Sequence, residues 1–207
     1  MSASRRSKRM RETDTSADSY AIRLLSLESV WWKRWLNVNA PYQWNLRRMQ
    51  LGATLEVGCG IGRNLGSLGA GSIGIDHNAS SVAVANSRGN RAFTTDEFKY
   101  KFSPPTQTFD SLLFAHVIEH LDPDVAQGLV VTYLKYVKSG ARVVFITPQE
   151  LGYRSDASHV RFSDFAVLHS LAKALDLSVE REYSFPFPRW MGHFFKYNEF
   201  VTIARRT

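Results

Sequence analysis

Thr54-Leu55-Glu56-Val57-Gly58-Cys59-Gly60-Ile61-Gly62, followed about twenty residues after its first glycine by Gly74-Ile75-Asp76, has the form of two strand ends that face one ligand. A short apolar run ends in glycines at alternate positions, where a backbone turn can pass close against a bulky group. A second apolar run ends in an acid, the residue type that accepts hydrogen bonds from both hydroxyls of a ribose. The spacing differs from the dinucleotide fingerprint G-x-G-x-x-G, which requires glycine at 63 or 65, where Arg63 and Leu65 stand. No Gly-Lys-Ser/Thr follows to complete a phosphate-binding loop either.

Outward from this segment, strand-like and helix-like stretches alternate. Strands are expected near 54–57, 72–75, 92–95, 110–115 and 141–147, with helices over 79–87 and 123–138 among the connections. Asn78 and Asp122 stand at N-cap positions, the latter with Pro123 at N1, and Ser163 is expected to cap a further helix to about 175. Strands near 177–183 and 199–204 close the chain, joined by a loop long enough to leave the last strand antiparallel. The fold class is α/β: a Rossmann-like, seven-stranded, mostly parallel sheet with helices on both faces. Upstream, residues 20–50 are expected to form a helical extension whose apolar face carries Ile22, Leu24, Leu25, Leu27, Trp31, Trp32, Trp35 and Leu36, with a break at Asn39-Ala40-Pro41. Arg5, Arg6, Lys8, Arg9 and Arg11 lie in a segment without hydrophobic periodicity, so residues 1–18 read as a disordered basic tail and 19–207 as one domain.

A chain of 207 residues with 44% hydrophobic content can bury one good core and little more. A net charge of +7 favours acidic partners without establishing nucleic-acid binding. No apolar run has the length of a membrane helix. The single Cys59 forms no internal disulfide, and a reducing cytoplasm suits the chain. Both a monomer and a homodimer fit it.

In open α/β sheets, ligands bind beyond the carboxyl ends of the strands. That rule gathers Gly58–Gly62, Asp76, Thr95-Asp96, His116, the residues from Pro148 onward and the loop Ser184–Asn198 on one rim.

The form Glu56-x-Gly58-x-Gly60-x-Gly62 followed by Asp76 resembles the class I S-adenosylmethionine (SAM)-dependent methyltransferases, over about residues 54–147. The resemblance implies SAM as cofactor. Glu56 would organise the turn, and Gly58, Gly60 and Gly62, with Cys59 among them, would pass beneath the amino-acid part of SAM. Asp76 would hold the ribose hydroxyls and His77 would pack against the adenine. Asp96 would accept from the adenine amino group, with Glu97 beside it, and His116 would lie near the methionine moiety. Tyr42 or Arg47, ahead of the first strand, would meet the cofactor carboxylate.

Methyl transfer from a sulfonium is an in-line displacement, which needs alignment, exclusion of water and in some cases removal of a proton. The motifs of adenine, glutamine or cytosine methylation are missing after the fourth strand, where Ala115-His116-Val117-Ile118 stands. A small-molecule acceptor is therefore preferred, methylated on an oxygen of an aromatic or anionic metabolite. The stretch His116-Val117-Ile118-Glu119-His120 is similar to the Glu-x-x-Glu-His segment of ubiquinone-pathway and small-RNA methyltransferases, whose acids and His bind a divalent metal. Here Glu119 and His120 match and His159 could supply the later His of the RNA enzymes, but His116 replaces the first acid, which disfavours magnesium, and no metal is assigned. His116 and His159 are the catalytic candidates, as bases for an acceptor hydroxyl, because His titrates close to neutral pH. The acceptor pocket is expected from Gln149–Phe162 and Phe185–Tyr197, with Arg154, Arg161, Arg189 and Lys196 on the same rim. The alternatives are an RNA methyltransferase using the basic tail, and a non-catalytic interaction domain on the same fold.

Overall fold

In the computed structural model, which describes residues 39–207, the chain enters through helix α1 (Ala40–Met49). It then builds strands β1 (Thr54–Val57), β2 (Ile73–Asp76), β3 (Ala92–Thr94), β4 (Phe109–Ala115), β5 (Val137–Pro148), β6 (Leu177–Phe185) and β7 (Glu199–Arg206). The helices between them are α2 (Ala79–Ser87), α3 (Thr95–Lys101), α4 (Pro123–Leu134), α5 (Glu150–Arg154) and α6 (Phe165–Ala174). The basic tail and residues 19–38 of the expected extension lie outside the described residues.

The seven strands form one sheet in the order β3-β2-β1-β4-β5-β7-β6. β1 to β5 run parallel, and β7 inserts antiparallel between β5 and β6. Side chains alternate across the central strands as the two-residue period of a strand demands. Leu112, Phe114, Val143 and Phe145 face Val130, Tyr133, Leu168 and Ala172 of α4 and α6. Leu113, Ala115, Val144 and Ile146 face Leu46 and Met49 of α1. Burial on both faces explains why these strands read as nearly continuous apolar runs. Each fully buried Leu or Phe contributes about 1.5–3 kcal/mol over exposure, so the sheet's middle is the stable platform for its rim. Among the described residues no helix is long and apolar enough to cross a membrane.

Several local expectations shift. The helix expected over 123–138 ends at Leu134, because Val137 pairs with Phe109 and begins a twelve-residue strand. The apolar series Val130, Tyr133, Tyr136, Val137 runs through both elements, so the sequence carries no mark of the change. Asp122 occupies the N-cap of α4 with Pro123 behind it, but its side chain makes no capping bond. Helix α6 is capped by Asp164, which accepts from the Val167 N–H at 3.1 Å, and not by Ser163, whose hydroxyl bonds back to the Arg161 carbonyl. The third strand gives way at Thr95 to α3, started by a reciprocal bond pair between Thr94 and Glu97.

Two glycines are fixed by close packing at the sheet's ligand edge. Gly58 has φ +76°, and a Cβ there would stand 2.4 Å from Val117 Cγ2. Gly74, inside β2, lies under the turn that follows β1, and a Cβ would meet Cys59 Sγ at 2.6 Å and Leu65 Cδ1 at 2.7 Å. Gly74→Ala is expected to destabilise the protein by about 1–3 kcal/mol through overpacking. The expected reading is a lower urea midpoint at unchanged slope; an unchanged midpoint would show that β2 and the turn do not need this approach.

Candidate active site

The chain winds outward from β1 through β2 to β3 and then returns as β4 on the other side of β1. This reversal opens a crevice beyond the carboxyl ends of β1 and β4, the place where such sheets take ligands. At this point Gly58, after β1, packs closely against Val117, after β4.

Asp76 ends β2 and bridges two backbones. Its Oδ2 accepts the Gly60 N–H at 2.8 Å, and its Oδ1 accepts the Asn78 N–H at 2.9 Å. Asn78 in turn caps α2 by accepting from the Ser81 N–H at 3.1 Å. A carboxylate has about four acceptor positions, so Asp76 keeps capacity for further donors. A Cβ built on Gly60 meets no atom within 4 Å, which leaves that face of the turn open to a ligand.

Glu56 lies wholly buried beneath the turn. Its Oε1 accepts from Asn64 Nδ2 at 2.7 Å, while Oε2 has no hydrogen-bond partner among the described residues. Burial pushes its carboxyl up to about 8; the Asn64 bond works against the shift and the charge of Asp76 adds to it. Burial likewise raises the Cys59 thiol, with Glu56 and Asp76 reinforcing, so Cys59 stays a neutral packing group within the turn. Gly62 is buried against Ala85 and Asn90. His77 projects from the rim with 91% of its side chain exposed. Asp96 is exposed in the first turn of α3, and the neighbouring Glu97 carboxylate is engaged in the cap of that helix.

His116 follows β4 in the left-handed region, at φ 59°. Its Nε2 lies 2.8 Å from Glu199 Oε1 and its Nδ1 3.3 Å from Glu119 Oε1, so both ring nitrogens face carboxylates. Packing around the ring opposes its charging, but the two acids outweigh it and the imidazole is pushed up to about 10. At neutral pH His116 is an imidazolium held between two acids.

Beside it stands a second group. The ligand atoms of Glu119, His120 and His159 lie within 4.8 Å of one another. The Glu119 carbonyl accepts both the Val160 N–H at 2.8 Å and the Arg161 N–H at 3.1 Å, which docks the 155–163 loop against the Ile118–His120 turn. His116 and His159, both expected as bases, thus belong to two clusters that meet at Glu119.

The acceptor rim is built on buried amides. Gln149 Nε2 donates to the Ser184 hydroxyl at 2.7 Å and to the Glu199 carbonyl at 2.9 Å, and Asn198 Nδ2 donates to Gln149 Oε1 at 2.9 Å. Arg189 is paired with both oxygens of Glu150 and lies over the Phe200 ring, so it supports the loop between β6 and β7 from within. On that loop Trp190 and Phe194 are 62% and 74% exposed. Arg154 and Lys196 are exposed on the rim and Arg161 is half-buried. Tyr42 reaches the rim by donating to the Tyr197 carbonyl at 2.6 Å, whereas Arg47 lines a cavity with Gln50, Leu51 and Gly52 at the opposite end of β1. Glu199 escaped the sequence reading, and Gln149 and Asn198 entered it only as the ends of rim segments. Glu199 is 83 residues from its His116 partner, and only the antiparallel insertion of β7 brings them together.

Residues 55–145 match the family described as Methyltransferase domain. The match runs from β1 into β5, and the resemblance it carries is to the class I SAM-dependent methyltransferases. No curated protein matches the chain in sequence. A SAM-dependent methyltransferase from Archaeoglobus fulgidus is similar in structure, with 18% identity, a TM-score of 0.63, and 88% of this chain and 99% of that one covered. The N-methyltransferase NodS of Bradyrhizobium japonicum, bound to S-adenosylhomocysteine (SAH), gives 18%, 0.60, 80% and 85%. Magnesium protoporphyrin IX methyltransferase of Synechocystis PCC 6803, bound to SAM, gives 13%, 0.54, 94% and 80%. At these identities the likeness is one of fold.

Glu56 generates a pH prediction. Its carboxyl rises from an ordinary 4.5 to about 8 in the folded chain. The unfolded chain therefore releases this proton first, and native stability from this group falls as pH rises through that window. Glu56→Gln removes the loss, so its melting temperature should gain on the wild type between pH 5 and 8.5. Melting curves that shift in parallel with pH for both proteins would refute the raised carboxyl.

Proposed function

We propose that the chain transfers a methyl group from SAM to a small-molecule acceptor, on an oxygen of an aromatic or anionic metabolite. The observation that carries the reading is the Asp76 bridge at the switch point: an acid fixed beside a glycine turn whose Gly60 face is open. The SAM and SAH held by proteins of similar fold support the same cofactor here.

In this reading the amino-acid part of the cofactor lies over Gly58, Cys59, Gly60 and Gly62. The buried Glu56, whose Oε2 has no hydrogen-bond partner among the described residues, stands beneath the turn that carries them. Asp76 receives the ribose hydroxyls. His77 and Asp96 take the adenine, with Glu97 holding the start of α3 beside them. His116 stands near the methionine portion. When bound, SAM supplies an electrophilic methyl on a sulfonium, and the protein's part is to align the acceptor and keep water out.

Of the two histidines proposed as bases, His116 has both nitrogens engaged by carboxylates, which suits a positioning role. The reading therefore gives proton acceptance to His159. That ring donates its Nδ1–H to the Tyr153 carbonyl at 2.7 Å and so keeps a lone pair on Nε2. An oxygen acceptor fits such a base. The exposed aromatics Phe187, Trp190, Phe194 and Tyr197 suit a flat or apolar acceptor body.

Calorimetric titration with SAM and SAH tests the cofactor half. Micromolar binding is expected, weakened about 10- to 100-fold by Asp76→Ala at unchanged circular dichroism, since charge-assisted hydrogen bonds contribute about 1.5–3 kcal/mol. NAD should not bind. Folded protein that binds neither SAM nor SAH would remove the proposal.

A further inference from the structure

We propose that the loop between β6 and β7 docks the chain on an anionic lipid bilayer, with Trp190, Phe194 and Tyr197 at headgroup level and Lys196 and Arg154 against the lipid charge. The contact is peripheral, since no helix among the described residues is long and apolar enough to cross a membrane.

Three observations support this docking. First, the loop is rigid and its inward side is already filled. The helical turn Arg189–His193 packs on α5, where a Cβ on Gly192 would stand 2.7 Å from Gln149 Cβ and 2.8 Å from Glu150 Oε2. Arg189 closes the same side by its pairing with Glu150. Three residues complete one turn of such a helix, so Arg189 and Gly192 face inward while Trp190 and His193 face out. Asn198 fixes the start of the loop, accepting from the Phe187 N–H at 3.0 Å and donating to the Pro188 carbonyl at 3.3 Å. The outer aromatic rings therefore have no space to turn into.

Second, those rings are grouped. Trp190 meets Phe194 with centroids 6.4 Å apart, and Phe195 meets Phe187 at 5.1 Å and Tyr197 at 5.8 Å. Trp190, Phe194 and Tyr197 each leave more than half of their surface in water. Single exposed aromatics are ordinary, but several large rings together on a rigid support mark an interaction surface. Trp and Tyr, apolar in body with a polar tip, suit the membrane–water boundary.

Third, the charge around the rings has one sign. From Tyr183 to Asn198 the chain carries Arg189, His193 and Lys196 but no Asp or Glu. The exposed Lys196 lies 5.9 Å from the centre of the Tyr197 ring, and α5, under the loop, ends at the exposed Arg154. The neighbouring acids are engaged: Glu150 by Arg189 and, at 3.7 Å, by His193, and Asp156 by the Ser158 N–H and hydroxyl. A cationic fringe around an aromatic centre complements anionic headgroups, which add about fivefold in affinity for each Lys or Arg near the surface. A second copy fits less well, because a two-fold contact would set one cationic fringe against another.

The loop crosses the ligand edge of the sheet, so docking through it turns that edge toward the bilayer. Resting on the methyltransferase reading, this narrows the acceptor to an amphipathic molecule. Its apolar part would stay in the lipid while a hydroxyl or phenol at headgroup level enters the crevice.

The test floats the full chain with phosphatidylglycerol–phosphatidylcholine vesicles and, in parallel, with phosphatidylcholine vesicles. Binding is expected on the anionic vesicles, weakened at least ~10-fold when Trp190→Ser and Phe194→Ser are combined, since each change returns a large buried side chain to water. Lys196→Gln should cost about fivefold on the anionic vesicles and leave the neutral ones unaffected. Tyr100→Ser, which removes an exposed aromatic from α3 at the other edge of the sheet, should leave binding unchanged. Circular dichroism and SAH titration of the same samples report folding and the cofactor half, so failure of docking stays distinct from failure of the methyltransferase reading. Absence of vesicle binding, equal binding to both vesicle types, or binding that the Trp190 and Phe194 changes leave intact would overturn the inference. So would self-association in lipid-free buffer that those two changes abolish, which would assign the surface to a second copy.

Discussion

One carboxylate holds the ligand edge of this sheet together. Asp76 joins the glycine turn after β1 to the start of α2, through hydrogen bonds to the Gly60 and Asn78 N–H groups. These are charge-assisted bonds, about twice as strong as neutral ones. They let the turn run without a long helix behind it: only the short helical turn Leu65–Ser67 separates it from β2. The close approach of Gly74 to Cys59 and Leu65 then becomes the packing counterpart of the same bridge. Whatever ligand meets Asp76 meets a group whose position is already fixed by backbone.

The rim also retains acids where burial should remove them. Glu56 and Glu119 are both fully buried, and each leaves oxygen atoms without a partner among the described residues. A buried, unsatisfied carboxylate is expensive, and a fold selected for stability alone would replace it with an amide or an apolar group. The two acids flank the switch-point crevice, one under the glycine turn and one after β4. Both place carboxyl oxygens in the interior behind an open edge.

Much of this was legible in the sequence, and for identifiable reasons. The glycine turn, Asp76 and the positions of the strands along the chain rest on local signals: apolar runs of strand length, glycine spacing and an acid at a strand end. The cap at Asn78 was legible for the same reason. Signals failed where two elements share one apolar pattern, as at Tyr136-Val137, or where neighbouring residues compete for a single cap, as at Ser163 and Asp164. They failed again where a contact is purely tertiary. Nothing near Glu199 announces that it will pair with His116, and nothing near Gln149 announces that its amide will join β6 to β7 through Ser184 and Asn198.

The antiparallel strand accounts for that last group. Because β7 runs against β5, its first residue lies beside the final residue of β5, and the pairing of Pro148 with Glu199 sets an acid next to the end of β4. A parallel strand in the same position would enter from the opposite edge and deliver no side chain there. The loop that precedes β7 must then cross the ligand edge, which gives the rim its aromatic cover. The buried amides of Gln149 and Asn198 fix both ends of that crossing. His116 is held from β7 by Glu199 and from its own turn by Glu119, so the edge strand and the cofactor crevice share one ion-pair network. The parallel half of the sheet thus builds the cofactor side, and the single reversed strand supplies the acceptor side and ties the two together.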